Sequence, residues 1–236
     1  MTQSQQTSDP DRPTVVPVSE PNAPESKTAV LTPTTDATPA TATATNELSG
    51  AQWVARFPTS VLVTDCADPF KDGLTRFVAA LEAAGAVVSI AATFRPMERA
   101  YLMHWSWMIS KKDYDPQTVP TASGVNIEWT HRDAKGAYAA DASKAAANAM
   151  VNGYGMQNLG TAPALNSRHT EGLAVDMSIS WSGNLTIANA DNTSITIKTT
   201  PKSGMNTDLH AVGATYNVMK YVGGDKDKPH WSSDGH

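Results

Sequence analysis

Between Asp72 and Ala84 the apolar residues Leu74, Phe77, Val78 and Leu81 recur at three- and four-residue spacing, and Gly85 follows them. That spacing predicts an amphipathic helix stopped by the glycine, which readily takes the left-handed conformation that closes a helix. The next run, Ala86 to Phe94, is short and rich in β-branched residues and ends at Arg95-Pro96. It reads as a strand that holds Arg95 extended at its exit. Pro96 suits the first turn of a second helix, with Tyr101, Leu102, Trp105, Met108 and Ile109 as its apolar stripe as far as Lys111.

Residues 112–136 show no regular period. Asp141 to Val151 is alanine-rich, with Asp141 or Ser143 available as its cap, and predicts a third helix. Gly153, Gly155 and Gly160 mark a long loop leading to Asn166-Ser-Arg-His169. Leu173, Val175, Met177, Ile179 and Trp181 then alternate with Ala174, Asp176, Ser178 and Ser180, the period of a half-buried strand with Asp176 away from its apolar side. Turn residues at Ser182-Gly183-Asn184 and Asp191-Asn192 predict that this strand continues through Leu185–Ala188 and Ser194–Lys198 as a three-stranded antiparallel meander. Helical spacing returns from Asp208 to Tyr221 through Leu209, Val212, Tyr216 and Met219, with Gly223-Gly224 as the stop. The expected class is α+β, an antiparallel sheet with flanking helices.

Composition divides the 236 residues in two. The first 46 hold 7 of the 15 prolines and 11 threonines, no aromatic residue, and 2 basic against 5 acidic side chains. Such a segment has too little apolar surface to offset its ordering entropy, so 1–46 is expected to be a disordered Pro/Thr-rich tail or linker. The remaining residues, 47–236, carry all 6 Trp, 6 Tyr and 4 Phe, enough for one packed domain. A net charge of −5 argues against a dedicated nucleic-acid binder. No apolar run reaches the roughly 18 residues of a membrane span, and Met-Thr-Gln-Ser-Gln-Gln lacks the basic start of a secretory signal. Cys66 stands alone, which excludes an intrachain disulfide and a four-cysteine zinc site. Any metal site must therefore use His and carboxylate.

Two segments concentrate such groups: Ser167-Arg-His169-Thr-Glu-Gly172-Leu-Ala174-Val-Asp176 and Asp227-Lys-Pro-His230-Trp231. A catalytic zinc takes three protein ligands and keeps a position open, and His169, Asp176 and His230 would supply a suitable set. The alternative is a buried histidine bonded to a carboxylate as a structural pair.

The spacing S-x-H-x-x-G-x-A-x-D, filled by Ser167, His169, Gly172, Ala174 and Asp176, with an acid three residues before His230-Trp231, resembles the zinc D-Ala-D-Ala metallopeptidases. That family includes carboxypeptidases, dipeptidases and phage L-alanyl-D-glutamate endopeptidases. The resemblance spans roughly residues 50–236, although its tight matches number only about fifteen positions. It implies one zinc ion bound by His169, Asp176 and His230, and a base at Asp227 that activates the zinc-bound water. Many members carry Glu there; Asp is one methylene shorter, Asp225 is the runner-up, and a solvated charge is the plain alternative. Lys226 and Lys228 are expected to point to solvent, since close by they would weaken the base.

Arg95 resembles the family's substrate-side arginine, a fork of donors for a carboxylate or a developing oxyanion, against the alternative of a structural ion pair. Ser167 either bonds substrate backbone or braces its own loop. Trp231 either walls the pocket or packs beneath it, and His210 is a substrate-side or supporting group or else an ordinary helix-surface histidine. Gly172 is expected to permit a tight approach between the His169 loop and the strand carrying Asp176.

The function expected is a zinc-dependent peptidase cutting an amide bond in the peptidoglycan stem peptide, as a carboxypeptidase or an endopeptidase, in a phage endolysin or an exported antibacterial wall hydrolase. The alternatives are a catalytically weak, zinc-stabilised wall-binding module and a free D,D-dipeptide hydrolase. A monomer is expected, made in the cytoplasm and reaching the wall or periplasm after lysis or by non-standard export. A delivery or immunity protein is the candidate partner, through the tail or the cleft.

Overall fold

The structure, a computed structural model, describes residues 46–236, so the expected tail lies outside the described residues except for Asn46. In chain order the elements are β1 (Glu47–Leu48), α1 (Phe70–Ala83), β2 (Val87–Ala92), α2 (Met97–Lys112), β3 (Ile127–Glu128) and α3 (Ala140–Gly153). They continue as β4 (Ala174–Ser180), β5 (Leu185–Ala188), β6 (Ser194–Ile197), α4 (Thr207–Thr215), β7 (Met219–Lys220) and β8 (His230–Ser232). Mixed helices and antiparallel sheet agree with the α+β expectation. Among the described residues no helix is long and apolar enough to cross a membrane.

The central sheet runs β2-β4-β8-β7, with every pairing antiparallel. β4 buries Val175, Met177 and Ile179 on one face, and Trp181 follows just beyond its end. These join Phe70, Leu74, Phe77 and Leu81 of α1 and Leu209 and Val212 of α4 in one apolar core. A second core forms where α2 and α3 pack, from Tyr101, Leu102, Trp105, Ile109, Ala147 and Met150 together with Trp53 and Trp129.

The three-stranded meander does not form. β5 and β6 pair with each other in a separate hairpin, and β4 is flanked instead by β2 and β8. Beyond β4 the Trp181 N–H donates to Lys202 O and Ser180 bridges Ser203, so the place a hairpin partner would take is filled by chain returning after β6. Long-range pairing has overridden the local turn signal.

Helix ends follow their left-handed residues. α1 closes as predicted at Gly85, where Ala86 N donates to Leu81 O (2.9 Å) and Gly85 N to Glu82 O (2.9 Å). α4 ends six residues before the predicted Tyr221, because Asn217 takes a positive φ of 59° and Val218 N donates back to Gly213 O (3.1 Å). The freed chain becomes β7. Neither Asp141 nor Ser143 caps α3: the Ser143 hydroxyl accepts from His131 N and donates to Ala139 O.

Candidate metal centre

Three neighbouring segments deliver the ligands. The β4–β8 register sets Asp176 opposite His230, and the β2–β4 register sets Asp176 opposite Ala92. His169 comes from the turn before β4, which is tied to the exit of β2 by Arg95 N donating to His169 O (3.0 Å). Gly172 closes that turn at a φ of 72°, and a Cβ there would lie 2.9 Å from Ala67 N. The close approach that demands glycine is therefore to the Cys66–Ala67 segment, rather than between its own loop and β4.

His169 Nε2 lies 3.2 Å from Asp176 Oδ1, His230 Nδ1 lies 3.1 Å from the same oxygen, and the two nitrogens are 3.2 Å apart. The tautomers follow from the other side of each ring. His169 Nδ1 faces Thr93 O at 2.6 Å and His230 Nε2 faces His236 O at 3.1 Å, and a backbone oxygen only accepts. Each outer nitrogen therefore carries the hydrogen in the neutral ring, and the inner nitrogens present lone pairs to each other and to a carboxylate oxygen. Three acceptors this close repel unless a cation or a proton sits among them. In a tetrahedral zinc site with bonds of ~2.0–2.2 Å, neighbouring ligand atoms lie about 3.3–3.5 Å apart, close to the triangle seen here. His169, Asp176 and His230 could therefore hold a divalent metal ion.

Arg95, Ser167, Asp227 and the three candidate ligands line one cleft of about 750 Å³. Burial pushes the Asp176 carboxyl up, but hydrogen bonds and charge from His169 and His230 outweigh it and hold the group well below the usual carboxylate range. Asp227 is displaced the other way. Partial burial and the Asp176 charge push its carboxyl up, against the pull of His230, Lys220 and His169. Burial draws the Arg95 guanidinium below its ordinary value, helped by Arg99 and opposed by Asp176 and Asp227, and its Nε is buried without a hydrogen-bond partner.

Two substrate-side expectations are corrected. Trp231 is 0 % exposed and packs against Phe77 at 5.7 Å between ring centroids, so it supports the sheet from beneath and cannot wall the cleft. His210 stands edge-on to Trp231 and bonds Gly204 O at 2.9 Å, away from the cleft. The runner-up base, Asp225, is 81 % exposed at its side chain, 3.8 Å from Lys228, and both lysines of that run are exposed. Ser167 does not brace its loop through its hydroxyl, which is buried without a partner; Thr170 does so, its Oγ1 accepting from Ser167 N and donating to Ser167 O.

Several contributors escape sequence reasoning. Thr93 acts through a carbonyl, which any residue would supply. Tyr221 lies edge-on to His230 at 5.7 Å. Arg168, beside His169, ion-pairs with Asp234 and with Glu171, pinning the chain beyond β8 to the ligand turn. The bonds from Arg168 hold the Asp234 carboxyl down to about 2, against a small effect of burial. A carboxylate depressed on folding stabilises the native state above its unfolded pKa, and loses that effect as pH falls from about 4 through about 2. Asp234→Asn is expected to lower Tm at pH 6, with the difference shrinking below pH 4 and vanishing only below about pH 2. Thermal melts of both proteins across that window check this, and a pH-independent difference would remove the Arg168–Asp234 pair as its cause.

Comparison with protein-family models, with curated proteins and with solved structures finds no match to this chain.

Proposed function

We propose that this chain is a zinc-dependent peptidase that hydrolyses an amide bond in the peptide stem of bacterial peptidoglycan. The observation that carries this reading is the meeting of His169 Nε2, Asp176 Oδ1 and His230 Nδ1 within 3.2 Å of one another, beside Asp227 and Arg95 in one cleft. The resemblance of the motifs around these residues to the D-Ala-D-Ala metallopeptidases supplies the substrate class. When bound, a zinc ion supplies Lewis acidity toward the scissile carbonyl and toward water.

The residues of the chain divide the remaining work. Asp227, in the same cleft as the three candidate ligands, takes the proton of the attacking water and returns it to the departing amine. Arg95, in the cleft wall, offers its guanidinium to a stem-peptide carboxylate or to the oxyanion formed during attack. The cleft falls within the ~300–1,000 Å³ range of small-molecule sites, which suits a short peptide segment. In this reading the protein works on the wall after lysis or export.

A second reading, a zinc-stabilised wall-binding module with little turnover, draws on one observation: Asp227 is the shorter acid and an exposed residue. Zinc-loaded protein incubated with purified peptidoglycan separates the two. New amino groups, with the cleaved bond located by mass spectrometry, support hydrolysis; cosedimentation with the wall and no new amines supports the binding module. Neither binding nor cleavage would end both.

A further inference from the structure

Lys220 is a lysine in the wrong place for a surface residue. It lies on β7 opposite Trp231, is 8 % exposed, and holds its ammonium 5.3 Å from the centre of the Trp231 ring. Its Nζ donates to Lys228 O at 2.6 Å, His230 O at 2.8 Å and Asp227 O at 3.3 Å. Three donors meet three carbonyls, and those carbonyls belong to the segment carrying both Asp227 and His230.

That segment is tied to its neighbours on one side, Met177 N donating to Pro229 O and Tyr221 N to His230 O. It leaves a short 3-10 turn, Gly224–Asp227, passes through Pro229, which has no N–H to donate, and only then joins β8. Carbonyls at the end of a helical turn lack partners within it, and buried carbonyls without partners are costly. A single buried cation gathers them on one side of the chain.

We propose that Lys220 is a positioning residue: its ammonium folds the 227–230 segment around itself and thereby fixes Asp227 and His230 relative to His169 and Asp176. The cleft lining does not include Lys220, so it touches neither metal nor substrate and holds the segment through its backbone carbonyls. The link to metal affinity rests on the zinc reading above; the link to loop order does not.

Lys220→Met keeps the apolar stem and removes the three donors. Hydrogen exchange of the full chain should then quicken about ten-fold or more across residues 224–230, while Val87–Ala92 and Ala174–Ser180, apart from Met177 whose N–H donates to Pro229 O, exchange as in the parent. Zinc affinity, read by chelator competition, should fall about 10- to 100-fold, the usual consequence of losing a group that orients a ligand. Should Lys220→Met not fold, Lys220→Gln carries the same comparison, since its amide reaches fewer of the carbonyls. Unchanged exchange in 224–230, or an equal rise in β2 and β4, would overturn the proposal, the latter marking a merely structural lysine. A parent protein that binds no zinc would end the metal reading alone, because the exchange measurement needs neither metal nor substrate.

Discussion

Replacing His169 by Ala is expected to take bound zinc from about one ion per chain to none at micromolar metal, and to abolish hydrolysis with it. The remaining pair, Asp176 and His230, still face each other at 3.1 Å, but two protein ligands fall short of the three that hold zinc in catalytic sites. The substitution also strands Thr93 O, which accepts from His169 Nδ1, so some loss of stability accompanies it. Elemental analysis of variant protein with unchanged far-ultraviolet circular dichroism measures the effect. Retention of stoichiometric zinc by such a folded variant would place the bound ion somewhere other than the His169–Asp176–His230 triangle.

Asp227→Asn is expected to keep the zinc and lose turnover by ~10²–10⁴, the range that a positioned general base contributes. The amide preserves size and hydrogen bonding but cannot take a proton. Asp227 supplies no ligand atom to the triangle, so metal content separates its role from that of His169. Turnover on peptidoglycan at equal zinc loading is the deciding measurement. A fully active Asp227→Asn protein would move the base elsewhere, and Asp225, paired with Lys228 at the solvent edge, is poorly placed to inherit it.

Elements with one buried face were legible. The alternation from Leu173 to Trp181 places Asp176 opposite the apolar face because α1 and α4 cover only that face of β4. α1 and α2 declare themselves by helical spacing, and α1 also by Gly85. The pairing of β4 with β2 and β8 was not legible, because it joins segments far apart in the chain while the turn at Ser182-Gly183-Asn184 argues for the nearer partner. β1, β3 and β7 span two residues each, too few for any period to register.

Within the site, His169, Asp176 and His230 could be picked out by side-chain type and spacing. Their supports could not, because Thr93 and the carbonyls around Lys220 act through atoms common to every residue. Lys220 reads as a surface residue beside Met219, yet Met219 is 37 % exposed and Lys220 is buried. Its sequence context leaves Trp231 two roles, and burial decides between them.

The spacing of the ligands along the chain bears on how the protein matures. His230 stands 54 residues from Asp176 and 61 from His169, and the carbonyl orienting His169 is 76 residues upstream. Such a pocket exists only after β2, β4 and β8, strands far apart in the chain, have met, unlike compact fingers in which the ion organises a local loop. In the zinc reading, the ion would be captured by an assembled sheet and could not seed it, so its uptake should trail the last long-range pairing during biosynthesis. Zinc added to the growth medium would lock correctly paired molecules without rescuing those that mispair.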